Sequence, residues 1–222
     1  MTVAAPRLYS TYVGKKYAMA VSGIVLMLYV LGHMIGNLKI YLGAADLDRY
    51  AEWLRTAGEP ELPRATLLWI VRIALIAAFA IHIHSAYALT RVNRKARVPY
   101  ASQREWIAAD FASRTMRWTG VIVGLFVIFH LLDLTWGPAN PDFIHGDPYH
   151  NLVESFRRVP VALVYIAANV ALAIHLYHGA WSLTQSMGWV FPYRRRLAIA
   201  FAVVVGAGNV SFPLAVMTGI VG

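Results

Sequence analysis

Six of the chain's eight histidines, His33, His82, His84, His130, His175 and His178, fall inside long apolar stretches rather than in the polar segments between them. A lone imidazole in such surroundings is commonly a packing residue satisfied by a nearby hydroxyl or carbonyl, but burying six is costly, and polar groups at such positions point to function. Imidazoles ligate metals, and two of them from different helices at one depth form the ligand set of a low-spin b-type haem, held without covalent attachment. The chain has no cysteine, so iron–sulfur clusters, thiolate metal sites, disulfides and thioether-linked haem are excluded within it.

Depth decides whether the histidines pair. His33 lies 16 residues beyond the start of the first apolar stretch at Tyr17, roughly 24 Å along a helix, and His130 lies 14 residues beyond Met116, roughly 21 Å. These two form an outer pair. On the returning stretches His82 is nine residues before Arg91 and His178 nine before Met187, so both sit roughly 14 Å from the inner boundary and form an inner pair. The neighbouring histidines leave alternatives. His82 and His84 point about 200° apart on a helix, so only one can face a partner, and His82 is favoured. His175 and His178 share a face, so either ligates while the other supports it. Gly179 after His178, and Gly32 and Gly36 around His33, would let a flat ring approach the backbone.

The elements that must position these residues follow from composition. Of 222 residues, 59% are hydrophobic and 14% charged, too apolar a balance for an ordinary soluble domain. Five stretches, about 17–42, 65–89, 118–136, 161–187 and 197–221, are long enough to cross a bilayer core. Lipid gives the backbone no hydrogen-bond partner, so the expected fold is an all-α membrane protein, one domain over 1–222 built as a five-transmembrane-helix bundle. No internal repeat is evident. Arg7, Lys15 and Lys16, the run from Arg91 through Arg94, Lys95, Arg97, Arg104 and Arg114 to Arg117, and Arg194, Arg195 and Arg196 fall on one side of these spans. Acidic residues dominate the other side, placing the N-terminus in the cytoplasm and the C-terminus outside, in a multi-pass protein of the cell's inner (cytoplasmic) membrane. The net charge of +9 therefore reflects topology rather than nucleic-acid binding.

Polar residues at the two levels complete the candidate site. Asn37, Lys39, Asp133 and Arg72 stand near the outer pair; Arg72 either pairs with an anion such as a haem propionate or snorkels to the interface. Ser22, Arg114, Arg117, Ser182 and Gln185 stand near the inner pair, as contacts for propionates or a quinone headgroup.

The stretches G-K-K-Y-A-M-A-V-S-G, G-H-M-I-G-N-L, L-T-R-V-N-R-K-A-R, S-R-T-M-R-W-T-G, H-L-L-D and H-L-Y-H-G-A-W-S resemble the membrane cytochrome b subunit of succinate dehydrogenase and fumarate reductase, of the single-anchor, five-helix, di-haem type. The resemblance implies two haem b groups. The far one would be bound by His33 and His130, and the near one by His178 together with His82 or His84. It further implies a subunit without a succinate site, carrying electrons between a flavoprotein and iron–sulfur pair docked on its cytoplasmic face and a quinone, with menaquinone as substrate. Some fumarate reductases of this type carry a glutamate two residues before the near-haem histidine on the fourth helix, linked to proton transfer. Here Leu176 stands there, so the resemblance implies succinate oxidation coupled to menaquinone reduction. The rival readings are the cytochrome b subunit of a hydrogenase or formate dehydrogenase, and a haem-free anchor or transporter.

Overall fold

The computed structural model describes residue 9, residues 11–95 and residues 103–222, without the side chains of 95 and 103–113. Arg7 and Arg97 lie outside the described residues, as do the side chains of Lys95 and Arg104. Seven α-helices follow in order: α1 (Tyr12–Asn37), α2 (Ala44–Thr56), α3 (Thr66–Lys95), α4 (Gln103–Leu134), α5 (Pro148–Arg157), α6 (Val159–Ser186) and α7 (Arg194–Met217). No strand occurs among the described residues. Five segments, Tyr12–Leu42, Thr66–Arg94, Arg114–Leu134, Val159–Ser186 and Arg194–Met217, are long and apolar enough to cross a membrane. The expected five-helix architecture is present, with boundaries shifted by a few residues. α3 and α4 extend past the apolar stretches at their basic ends, where charged residues that are good helix formers continue the helix into water. The last helix stops at Met217, before Gly219 at φ +72°, rather than continuing to 221.

α1 begins with Thr11, whose side chain accepts from the Gly14 amide at 2.9 Å and so satisfies one of the unpaired donors of the first turn. The Tyr12 hydroxyl donates to Asn93 Oδ1 at 3.0 Å and ties the start of α1 to the end of α3. α3 turns Ile70, Ile73, Ile76 and Ile83 outward; so many exposed aliphatic side chains on one helix suit lipid and not water. α6 and α7 approach closely at Gly206, where an added Cβ would come within 2.7 Å of the Ala173 Cβ.

Two short helices had no counterpart in the expected spans. α2 and α5, of 13 and 10 residues, sit in the loops at the end of the bundle opposite the basic clusters. α5 is started by Pro148 and by Asp147, whose carboxylate accepts from the His150 amide at 3.0 Å. It buries Leu152, Val153 and Phe156 against Ile40, Leu47 and Tyr165, and the Asp48 carboxylate accepts from the Tyr149 amide at 3.1 Å to join α2 to α5. The largest packed core of the molecule therefore lies at this end, and it closes over the outer histidines.

Candidate functional site

α1, α3, α4 and α6 each aim one histidine at another helix. At the outer level His33 on α1 meets His130 on α4, ring centres 5.9 Å apart and planes at 90°. At the inner level His82 on α3 meets His175 on α6, ring centres 6.4 Å apart and planes at 73°. The outer pairing follows the sequence reading. At the inner level the residue beside His82 is His175, where depth counting had favoured His178.

His178 packs on Tyr177, ring centres 5.0 Å apart, and makes no ring contact with His82. Depths were counted from assumed helix ends, and a shift of three residues moves a side chain by about 4.5 Å, within the error of a boundary read from hydropathy. The residue two before His175 is Ala173, so the position compared with the family's glutamate moves from Leu176 and remains non-acidic. His84 faces away from His82, stacked on Tyr9 at 5.7 Å and bonded through Nδ1 to the Tyr9 hydroxyl.

The inner rings are anchored alike. The Ser22 hydroxyl donates its one hydrogen to the Ala18 carbonyl at 2.7 Å, so its oxygen accepts from His82 Nδ1–H, 3.4 Å away. The Thr119 hydroxyl donates to the Thr115 carbonyl at 2.8 Å and accepts from His175 Nδ1–H at 3.3 Å. Both bonds place the proton on Nδ1 and leave Nε2 with its lone pair, the state a metal requires. Gly23 and Gly120 follow the two hydroxyl residues; an added Cβ would stand 3.4 Å from His82 Cε1 and 3.3 Å from His175 Cε1, so these glycines let the rings lie against the neighbouring helix.

This correspondence exposes a repeat that the sequence reading missed. α1 and α4 both carry Met-x2-Ser/Thr-Gly-x9-His: Met19, Ser22, Gly23 and His33 in one, Met116, Thr119, Gly120 and His130 in the other. Eleven residues from hydroxyl to histidine span about three helical turns, so both point from one face. Each of these helices thus supports an inner histidine of its hairpin partner and offers an outer histidine of its own.

Around the outer pair the surroundings differ. The His33 ring is stacked on Tyr29 at 5.5 Å. His130 Nδ1 lies 3.4 Å from the Tyr165 hydroxyl, which donates to Asp133 Oδ2 at 2.8 Å. Asp133 is fully buried and also accepts from Ser155 and from Arg158 Nη2, the latter at 2.6 Å. Arg158 Nη1 donates to the Ala139 carbonyl at 2.8 Å, while its buried Nε has no partner.

Tyr165, Arg158, Ser155 and Thr119 were not among the residues singled out from sequence. Of those that were, Asn37 closes α1 one turn beyond His33 without a side-chain cap bond, and Lys39 lies over the Tyr50 ring. Arg72 is exposed with its guanidinium 5.0 Å from the Trp69 ring centre, the arrangement of an interfacial cation. Arg114 is exposed at the basic end of its span.

Among the described residues no group of three or more His, Cys, Asp or Glu side chains is placed to hold a metal ion. Each histidine pair would serve only a metal whose remaining ligands come with it, as in a macrocycle. The spacing suits that: two metal–imidazole bonds of about 2 Å, plus the distance from each nitrogen to its ring centre, separate coaxial rings by roughly 6 Å. The orphaned Arg158 Nε is a buried donor suited to a carboxylate such as a propionate.

A family model described as succinate dehydrogenase/fumarate reductase transmembrane subunit matches residues 91–214, more than half of the chain. The match takes in His130, His175, Thr119, Asp133, Arg158 and Tyr165, and leaves out α1 and most of α3. No curated protein and no solved structure gives a significant match.

Proposed function

Because the chain belongs to the succinate dehydrogenase/fumarate reductase transmembrane subunit family, we propose that it is the di-haem b anchor of a succinate:menaquinone oxidoreductase in the cytoplasmic membrane. The observation that carries this reading is the stacking of two cross-helix histidine pairs, His82 with His175 and His33 with His130, at ring separations of 6.4 and 5.9 Å. Bound between such rings, haem supplies one-electron storage without a change of ligand.

The chain's own residues hold, orient and insulate. Ser22 and Thr119 fix the inner imidazoles, and Gly23 and Gly120 make room for them. α2 and α5 cover the outer level, which keeps water from the outer rings and lets the ligands' electronic character weigh on the potential. Arg158 is placed to meet a carboxylate at that level. Ten residues of α1 separate Gly23, which lies against His82, from His33, so the two levels stand roughly 15 Å apart in depth.

The basic end carries Lys15, Lys16, Arg114, Arg117, Arg194, Arg195 and Arg196 and faces the cytoplasm in this reading, with the C-terminus outside. An iron–sulfur subunit bearing the flavoprotein docks there, nearest the inner pair, and menaquinone exchanges its electrons within the bundle.

A pyridine haemochrome assay on the purified complex tests the reading. Two b haems per chain are expected, both low-spin. An intact, folded complex with no haem would reduce the chain to an anchor.

A further inference from the structure

The four facing histidines are not held equally, and the difference lies on one ring. His82 and His175 give their Nδ1 protons to neutral hydroxyls, and His33 is stacked on a phenol ring. His130 alone among the described four reaches a carboxylate, through a single intervening hydroxyl.

We infer that Tyr165 is a positioning residue that couples His130 to the Asp133 carboxylate and thereby lowers the redox potential of the outer centre relative to the inner one. The inference rests on the reading of the histidine pairs as haem ligands. The Tyr165 hydroxyl has one hydrogen, and it goes to Asp133 Oδ2 at 2.8 Å; its oxygen is therefore left to accept from His130 Nδ1–H at 3.4 Å. The carboxylate at the end of this chain is fully buried and held by Arg158 at 2.6 Å and by Ser155, so solvent screens it little.

The phenol cannot swing away, because its ring is clamped by Phe126, Phe129 and Phe156 at 5.0, 5.9 and 4.8 Å. A hydrogen bond that draws the Nδ1 proton toward an anion makes the imidazole more electron-rich at Nε2. It becomes a stronger donor and stabilises ferric over ferrous iron. The inner ligands receive no such push from a hydroxyl already committed to a backbone carbonyl.

The repeat in α1 and α4 sharpens the point. The residue one turn past His33 on α1 is Asn37, whereas Asp133 lies nearly one turn past His130 on α4. Position for position Asp133 stands where α1 has Gly36, so the second copy carries a charge where the first has no side chain, and of the two outer ligands only His130 is made more electron-rich. Electrons entering from the basic end then rest on the inner centre, and the outer one is reduced last.

The test is a spectroelectrochemical titration, with low-spin electron paramagnetic resonance, of the whole complex carrying Tyr165→Phe. The substitution keeps the ring and its clamp but removes the acceptor for Nδ1–H. The outer potential should shift upward and its low-spin signal should move, while the inner centre keeps both. Ser22→Ala, which removes a hydroxyl beside an inner ligand, should leave the outer potential and its signal where they are. If Tyr165→Phe does not assemble, Asp133→Asn, which removes the carboxylate charge and keeps Arg158 in place, should shift the outer potential upward while the inner one stays where it is.

A Tyr165→Phe complex with two haems, both potentials and both signals unmoved, would overturn the coupling while leaving the haem reading intact. Equal shifts of both centres would also overturn it, as a general disturbance. A wild-type complex without haem would overturn the reading beneath it.

Discussion

Removing both inner anchors, Ser22→Ala with Thr119→Val, should loosen the inner haem selectively. Each hydroxyl bonds a backbone carbonyl of its own helix as well as the histidine, and those carbonyls remain in the helical ladder after the change. The substitutions therefore remove one support from each ring, taking the hydroxyl acceptor from its Nδ1–H while orphaning no backbone carbonyl. Loss of an outer partner of a metal-bound histidine typically weakens binding about 10–100-fold, and contacts of 3.4 and 3.3 Å are at the long end for a hydrogen bond, which argues for about tenfold each. Both rings would hold one haem and so share a partner, which makes simple addition the upper limit: the double variant should lose between about tenfold and about a hundredfold, or about 1.4 to 2.7 kcal/mol. Transfer of haem to an excess of an apoprotein acceptor, followed at the wavelengths of each centre, measures this. The inner haem should leave the double variant faster while the outer haem leaves at the wild-type rate. Inner-haem loss no faster than wild type would refute the claim that these hydroxyls hold the ligands, and equal acceleration at both levels would mean that the bundle had merely loosened.

Other expectations follow from the same geometry. Asp133→Asn leaves the Arg158 guanidinium, 27% exposed, without its counterion; the cost should be about 3 kcal/mol, the lower end for breaking a buried pair because the cation can still turn toward water. Unfolding in mixed micelles should show this loss and its recovery in Asp133→Asn with Arg158→Met. Arg72→Gln should leave both haem potentials in place, since its guanidinium lies exposed over Trp69; a fall in the outer potential alone would instead put Arg72 on a propionate.

The five spans were legible because lipid imposes one rule on every crossing segment: length and apolarity with no unsatisfied backbone. α2 and α5 were not, because a helix of 13 or 10 residues lying across the end of a bundle needs neither a long apolar run nor a terminal charge pattern. Its apolar face is defined by what it covers. The outer pair His33 and His130 was legible by depth alone. His175 was not separable from His178 by that argument, since three residues of helix are less than the uncertainty in where a span ends. Its partner could have been found by comparing α1 with α4, because Met19, Ser22, Gly23 and His33 recur in spacing as Met116, Thr119, Gly120 and His130. Tyr165 and Arg158 carried no signal of their own: each gains its meaning only from Asp133, 32 and 25 residues away along the chain.

The repeat also bears on why one chain can present two such sites. A single helix pair with one Ser/Thr-Gly step and two histidines supplies one member of the inner histidine pair and one member of the outer pair. Two antiparallel pairs, α1 with α3 and α4 with α6, complete both levels at once when they meet face to face, so the sites form together with the bundle or not at all. α7 stands outside this arrangement, packed on α6 through Gly206 and on α1 through Gly208, where an added Cβ would meet the Met34 sulfur at 2.6 Å. It supplies none of the four facing histidines. Its place is to hold the second pair against the first, and a residue larger than glycine at position 206 should therefore weaken both levels together, the opposite signature from a change at Ser22 or Tyr165.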